Sequence, residues 1–170
     1  MSVDGSPSLS GLCHVGIHSE DPTTLADFYR DVLGMQIVGS SDEDSPTGTS
    51  TFLSSRPTEE SHEIVIFANP ALCHTAFKVA SLVDLRDRYR GIVERGLPIK
   101  AVLNHGVSLA FYFNDPEGNM IEIYWPTQLA YGQPYGHPID LTLTEEALLQ
   151  DLAELASKAD IPWPAPSREV

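Results

Sequence analysis

The sequence predicts an α+β fold: two βαβββ modules forming a curved mixed sheet around a central metal cleft, with a C-terminal helix. Three observations lead there. Leu-Cys-His occurs twice, at 12–14 and 72–74, opening the apolar runs GLCHVGI and ALCHTAF. The elements that follow each copy come in the same order: strand, helix, three strands. A further metal-capable side chain then lies 48 residues beyond each histidine, His62 beyond His14 and Glu122 beyond His74. A duplicated unit that repeats its donor residues directs them to the place where its halves meet.

Residues 1–10 are small and polar and read as a disordered lead-in to a domain over 11–126, with modules 11–70 and 71–126. A strand at 12–18 sets Leu12, His14, Gly16 and His18 on one face and Cys13, Val15 and Ile17 on the other. Asp21 caps a helix with Pro22 at its first position. Leu25, Phe28, Tyr29, Val32 and Leu33 make its buried stripe, and Gly34 ends it. MQIV begins a strand, SSDEDSPTG is an exposed loop, and TSTFLSS and HEIVIF are two further strands. In the second module LCHTAFKV is the strand. Ser81 caps a helix with Leu82, Leu85, Tyr89, Ile92 and Val93 on one face, and Gly96 and Pro98 stop it. Strands follow at 99–102, 107–113 and 120–125, the last two joined by the turn DPEGN. Residues 127–170 form a C-terminal loop, helix and tail. Their turn-rich start (127–141) is expected to run over the surface. Thr144 caps a helix with Leu148, Leu149, Leu152 and Leu155 on one face, and IPWPAPSREV trails off.

Ten Lys+Arg against 24 Asp+Glu give a net charge of −14, which argues against nucleic acid and anionic membrane as partners. No apolar stretch reaches the ~20 residues a bilayer requires, and MSVDGSPSLS has neither a basic nor an apolar leader region. A cytoplasmic protein is expected, assembling as a homo-oligomer. Two cysteines are too few for a disulfide framework. Strand alternation turns Cys13 and Cys73 away from the neighbouring histidines, as reduced core residues rather than ligands.

Alternation also assigns the cleft face. Gly16 accompanies His14 and Ala76 accompanies His74, so a small residue leaves room beside each imidazole. On the last strand Met120, Glu122 and Tyr124 share a face while Ile121, Ile123 and Trp125 pack under the helices. A lone glutamate in an apolar strand carries a heavy desolvation cost unless it is paired or binds a metal. Two imidazoles and one carboxylate on one side of an ion make the facial triad of non-haem Fe(II) oxygenases, but Zn, Ni or Mn can use a similar set. Any single histidine is more often a hydrogen-bonded core residue. Equivalent positions across the repeat reverse that reading for the set to which His14, His62, His74 and Glu122 belong.

With LCHVGI, LCHTAF and MIEIYW in this order, the chain resembles the vicinal oxygen chelate superfamily. Within it, NHGVSLAFYFNDPEGNMIE (104–122) is similar to the signature of the type I extradiol ring-cleavage dioxygenases: a histidine, a short apolar strand ending in tyrosine, Asp-Pro-x-Gly and the ligand glutamate. His105, Tyr112, Asp115, Pro116, Gly118 and Glu122 fall in place. Leu103 departs from the small, polar or β-branched residue usual two before the histidine. The resemblance covers about 12–126 and looks like a compact one-domain form. It implies that His14, His74 and Glu122 hold Fe(II), and that the substrates are a catechol and O2. It further implies that His62 is the acid–base group and that His105 and Tyr112 bond the substrate hydroxyls. The product would be a muconic semialdehyde.

Two other functions use the same scaffold. A glyoxalase I-like lyase or isomerase binds Ni or Zn through four ligands, and His62 stands at the fourth repeat position; such an enzyme has no need of the His105/Tyr112 pair. A metal-free binding protein of the bleomycin-resistance kind needs no ligand set at all. Of the remaining histidines, His18 is read as a solvated strand end and His137 as part of a loop near the cleft.

Overall fold

The computed structural model describes residues 9–162, so most of the 1–10 lead-in and the end of the tail lie outside the described residues. The first module runs β1 (Gly11–His18), α1 (Pro22–Leu33), β2 (Gln36–Ser41), β3 (Ser50–Ser54) and β4 (Ile64–Phe67). A short 3-10 turn (Pro70–Leu72) leads into the second: β5 (Thr75–Lys78), α2 (Leu82–Glu94), β6 (Ile99–Asn104), β7 (Ser108–Asn114) and β8 (Met120–Pro126). A two-residue β9 (His137–Pro138) and α3 (Glu145–Lys158) follow. The strands form one curled mixed sheet in the order β2-β3-β4-β1-β5-β8-β7-β6-β9. In each half the first strand pairs parallel with the last, β1 with β4 and β5 with β8, and the halves meet where β1 and β5 run antiparallel. Both modules thus come from one chain, with the two Leu-Cys-His segments meeting at the centre. Asp21, Ser81 and Thr144 cap the three helices, each accepting a backbone N–H of the first turn.

The main core lies under the second module, where Leu82 and Leu85 of α2 and Leu148 and Leu152 of α3 close over Phe111 and Ile123. Ile121 and Trp125 pack against it, as their alternation with Glu122 requires. The α1 stripe differs from expectation. Its buried line is Pro22 and Ala26, with Leu25 and Tyr29 beside it, while Phe28, Val32 and Leu33 are more than half exposed. Ala26 is small enough to let the helix settle close on the sheet, and that rotates the larger residues outward.

Two β-bulges matter for the site. β1 slips register against β5 between Leu12 and His14, and β6 slips against β7 between Ile99 and Ala101. The first overturns part of the expected face assignment. Leu12 pairs with Phe77 and is exposed, while the extra residue Cys13 packs against the cleft-side cluster of Ala76, Ala110, Tyr112 and Tyr124. A bulge places two consecutive side chains where alternation allows one.

Candidate metal centre and its cavity

His14 sits within β1 opposite Ala76, and Glu122 within β8 pairs with that same Ala76 on its other side. His74 lies one residue before β5, just after the 3-10 turn, and not inside a strand as its sequence suggests. Gly16 is what lets it fit, since a Cβ there would stand 2.9 Å from His74 Nδ1. The three side chains converge. His14 Nε2 and His74 Nε2 lie 3.0 and 3.1 Å from Glu122 Oε2 and 3.1 Å from each other. Glu122 is 2 % exposed and His14 6 %.

His74 Nδ1 is 2.7 Å from the Leu72 carbonyl and donates its proton there, so a neutral His74 turns a lone pair on Nε2 toward the carboxylate. Two acceptors at that distance repel unless a proton or a cation lies between them. Burial opposes charging His74, but its hydrogen bond to Glu122 and the carboxylate's charge outweigh it, and the group sits above its ordinary 6.5. Burial likewise pushes Glu122 up, yet the two imidazoles hold it well below the usual carboxylate range. The site is therefore built for positive charge. Three donors about 2.1 Å from an ion and at right angles to one another would be about 3.0 Å apart, whereas a tetrahedral set would be about 3.4 Å apart. The observed spacing is close enough for one ion to touch all three donors, and among the described residues these three form a His/Cys/acid group that could hold one.

The other expected residues gather around this triangle. His62 lies just ahead of β4, its ring 4.2 Å from that of His14 and edge-on to Phe52. Its Nδ1 faces Ser61 Oγ at 3.2 Å. Burial above all, then the neighbouring His14, pushes its pKa well below 6.5. His105 donates from Nδ1 to the Tyr135 carbonyl (2.6 Å), which leaves Nε2 to accept the Tyr112 hydroxyl (2.9 Å). Tyr112 is directly opposite Glu122 in the β7/β8 ladder. Burial first, then Glu122, raises it well above 10, so it stays a phenol. All six residues line one cavity of about 390 Å³. His18 and His137 are exposed and do not line it.

Sequence reasoning missed three contributors. Residues 133–136, in the loop expected to run over the surface near the cleft, line the cavity itself: Gln133 donates to the His105 carbonyl at 2.7 Å, and Gly106, at φ +74, lies so close to Tyr131 that no side chain fits. Phe52 lines the first-module wall; its repeat position, sixty residues before Tyr112, was a signal available in the sequence. Glu60, buried, bonds Lys78 and accepts from the Tyr124 hydroxyl, tying the segment that carries His62 to β5 and β8. No sequence pattern marked that tie.

A profile of the Glyoxalase/Bleomycin resistance protein/Dioxygenase superfamily matches residues 11–123. The chain is 30% identical over 124 residues to biphenyl-2,3-diol 1,2-dioxygenase 3 of Rhodococcus globerulus, covering 66% of this chain and 61% of that protein. It is 32% identical over 76 residues to biphenyl-2,3-diol 1,2-dioxygenase 2 of the same organism, covering 38% and 40%. The matches thus span less than two thirds of these relatives' length. Among solved structures the fold is similar to that of a catechol 2,3-dioxygenase, at TM-score 0.62 and 20% identity over 79% of this chain and 49% of that one. It is also similar to 2,2',3-trihydroxybiphenyl 1,2-dioxygenase from Sphingomonas wittichii strain RW1, at TM-score 0.59 and 18% identity over 81% and 48%.

Proposed function

The chain belongs to the Glyoxalase/Bleomycin resistance protein/Dioxygenase superfamily, and on that footing we propose that it is an Fe(II)-dependent extradiol dioxygenase. It would open the aromatic ring of a catechol beside its two hydroxyls and place both atoms of O2 in a muconic semialdehyde-type product. The observation that carries this reading is the pairing of the His14–His74–Glu122 triangle with the Tyr112–His105 hydrogen bond in one cavity.

His14, His74 and Glu122 would hold the iron. When bound, it supplies a route for electrons between the organic substrate and O2, whose direct reaction is spin-forbidden. The remaining work falls to the chain's own groups. The Tyr112 hydroxyl donates a hydrogen bond to His105 Nε2, so its oxygen is free to accept one from a hydroxyl of the diol. A proton leaving the diol can pass along Tyr112 to His105 Nε2, whose ring is held in place by the bond from Nδ1 to the Tyr135 carbonyl. His62, kept neutral by burial, has Nε2 left to take a proton on the O2 side and return it as the ring opens. The wall of Phe52, Val65 and Phe67 keeps water from the reacting ring. The reading goes with a cytoplasmic homo-oligomer; no helix among the described residues is long and apolar enough to cross a membrane.

The test is to load the protein with ferrous iron and a catechol without oxygen, then admit air. One O2 consumed per catechol and a yellow product support the reading. Bound iron and bound catechol with no oxygen uptake overturn it, and isomerisation of a hemithioacetal instead points to the four-ligand lyase, in which His62 joins the metal.

A further inference from the structure

The bulge in β6 brings a lysine into this cavity. Ile99, opposite Phe113, packs into the helix-side core, while Ala101, opposite Tyr112, belongs to the cleft-side cluster. These two residues lie two apart and would share a face in a regular strand. The extra residue between them is Lys100, which lines the cavity together with Ala101. The equivalent bulge recurs in the first module, where Ile37 faces Leu53, Gly39 faces Phe52 and the extra residue is Val38. The bulge is thus a property of the repeat, and what distinguishes the second half is the charge carried there.

That charge is unusual for this molecule. The chain has a net charge of −14, and its other two lysines are paired, Lys78 with Glu60 and Lys158 with Glu154. Among the described residues Lys100 makes no ion pair and is the only lysine or arginine that lines the cavity. Glu122, the only acid among the described residues that lines it, is committed to His14 and His74. The rest of the lining is largely apolar. Beyond the metal site, a diol held at the triangle would therefore meet one side-chain positive charge, at the exposed rim.

We propose that Lys100 selects catechols bearing a carboxylate on the ring or on a short side chain, and that it binds this group at the cavity's rim. The proposal rests on the dioxygenase reading and deepens it by naming the substrate class. Because Lys100 is exposed, screening limits its effect.

The experiment compares unsubstituted catechol with three carboxylated catechols, the carboxylate zero, one or two carbons from the ring. Wild type, Lys100→Met and Lys100→Glu are titrated with each as iron-loaded protein under anaerobic conditions, then assayed in air. For at least one carboxylated catechol, the ratio of its affinity to that of catechol should fall about three- to fivefold in Lys100→Met and further in Lys100→Glu. Added salt should weaken that ligand's binding to wild type more than it weakens catechol's. Ratios that stay within twofold of wild type in both variants overturn the proposal while ring opening of catechol leaves the dioxygenase reading standing. A wild type that binds all four compounds and opens none removes both.

Discussion

Gly16→Ala tests whether the triangle is as tightly fitted as its geometry indicates. The added Cβ would lie 2.9 Å from His74 Nδ1, 3.1 Å from its Cε1 and 3.0 Å from Phe67 Cε2. Carbon contacts are comfortable from about 3.5 Å, so the imidazole must retreat by about 0.5 Å. It has little slack. Nδ1 is tied to the Leu72 carbonyl at 2.7 Å, and Nε2 is already 3.1 Å from both other donors. Metal–ligand distances tolerate about 0.2 Å, so a displacement of this size should weaken metal binding about 10- to 100-fold, the range seen when a ligand's supporting partners are removed. That is about 1.4–2.7 kcal/mol. Gly16 has no positive φ, so the backbone accepts alanine and any effect is a steric one on the ring. Fe(II) affinity is read by competition with a chelator, alongside thermal melts, and Gly132→Ala serves as control because nothing lies within 4 Å of its added methyl. A Gly16→Ala protein that melts like wild type and binds iron within twofold of it would refute the argument.

His62→Asn should keep its iron and bind catechol, while ring opening slows about 10²- to 10⁴-fold; loss of iron in this variant would make His62 a ligand instead. Tyr112→Phe removes one hydrogen bond to a charged group, about 1.5–3 kcal/mol, so kcat/KM should drop about ten- to hundred-fold at constant iron content. Unchanged rates on several catechols would take Tyr112 out of the site. Lys78→Met leaves buried Glu60 with only the Tyr124 hydroxyl, and since the lysine is partly exposed the cost should be about 1–3 kcal/mol. A chain of this size then loses about 2–4 °C in Tm per kcal/mol, and a melt indistinguishable from wild type would show that the pair contributes nothing.

What could be read from the sequence is what a period of two encodes. Glu122 alternates with Ile121 and Ile123, and the structure places them on opposite sides of β8 as that pattern requires. The repeat then supplied the partners, because His14 and Glu122 could be matched to His74 and His62 without knowing any path through space. Where the period breaks, the reading broke with it. The bulges at Cys13 and Lys100 each add one residue to a strand, and nothing in LCHV or PIKA announces the slip. The 133–136 segment escaped for a different reason: its course depends on docking beside His105, a contact about thirty residues away in sequence. The α1 stripe failed on packing, since a pattern of large apolar residues does not show that a close helix–sheet approach favours Ala26.

The two halves of the cavity explain why these failures matter. Equivalent positions carry Phe52 and Tyr112, Val38 and Lys100, so at these positions the first module offers apolar side chains and the second a hydroxyl and an ammonium group. Symmetry between the modules builds the triangle at their junction. Chemistry on a substrate requires that symmetry to be broken, because the two oxygens of a diol and the rest of its ring must meet different surroundings. The repeat therefore discloses the candidate metal donors, while the residues that would discriminate among catechols are those at which the repeat departs from itself.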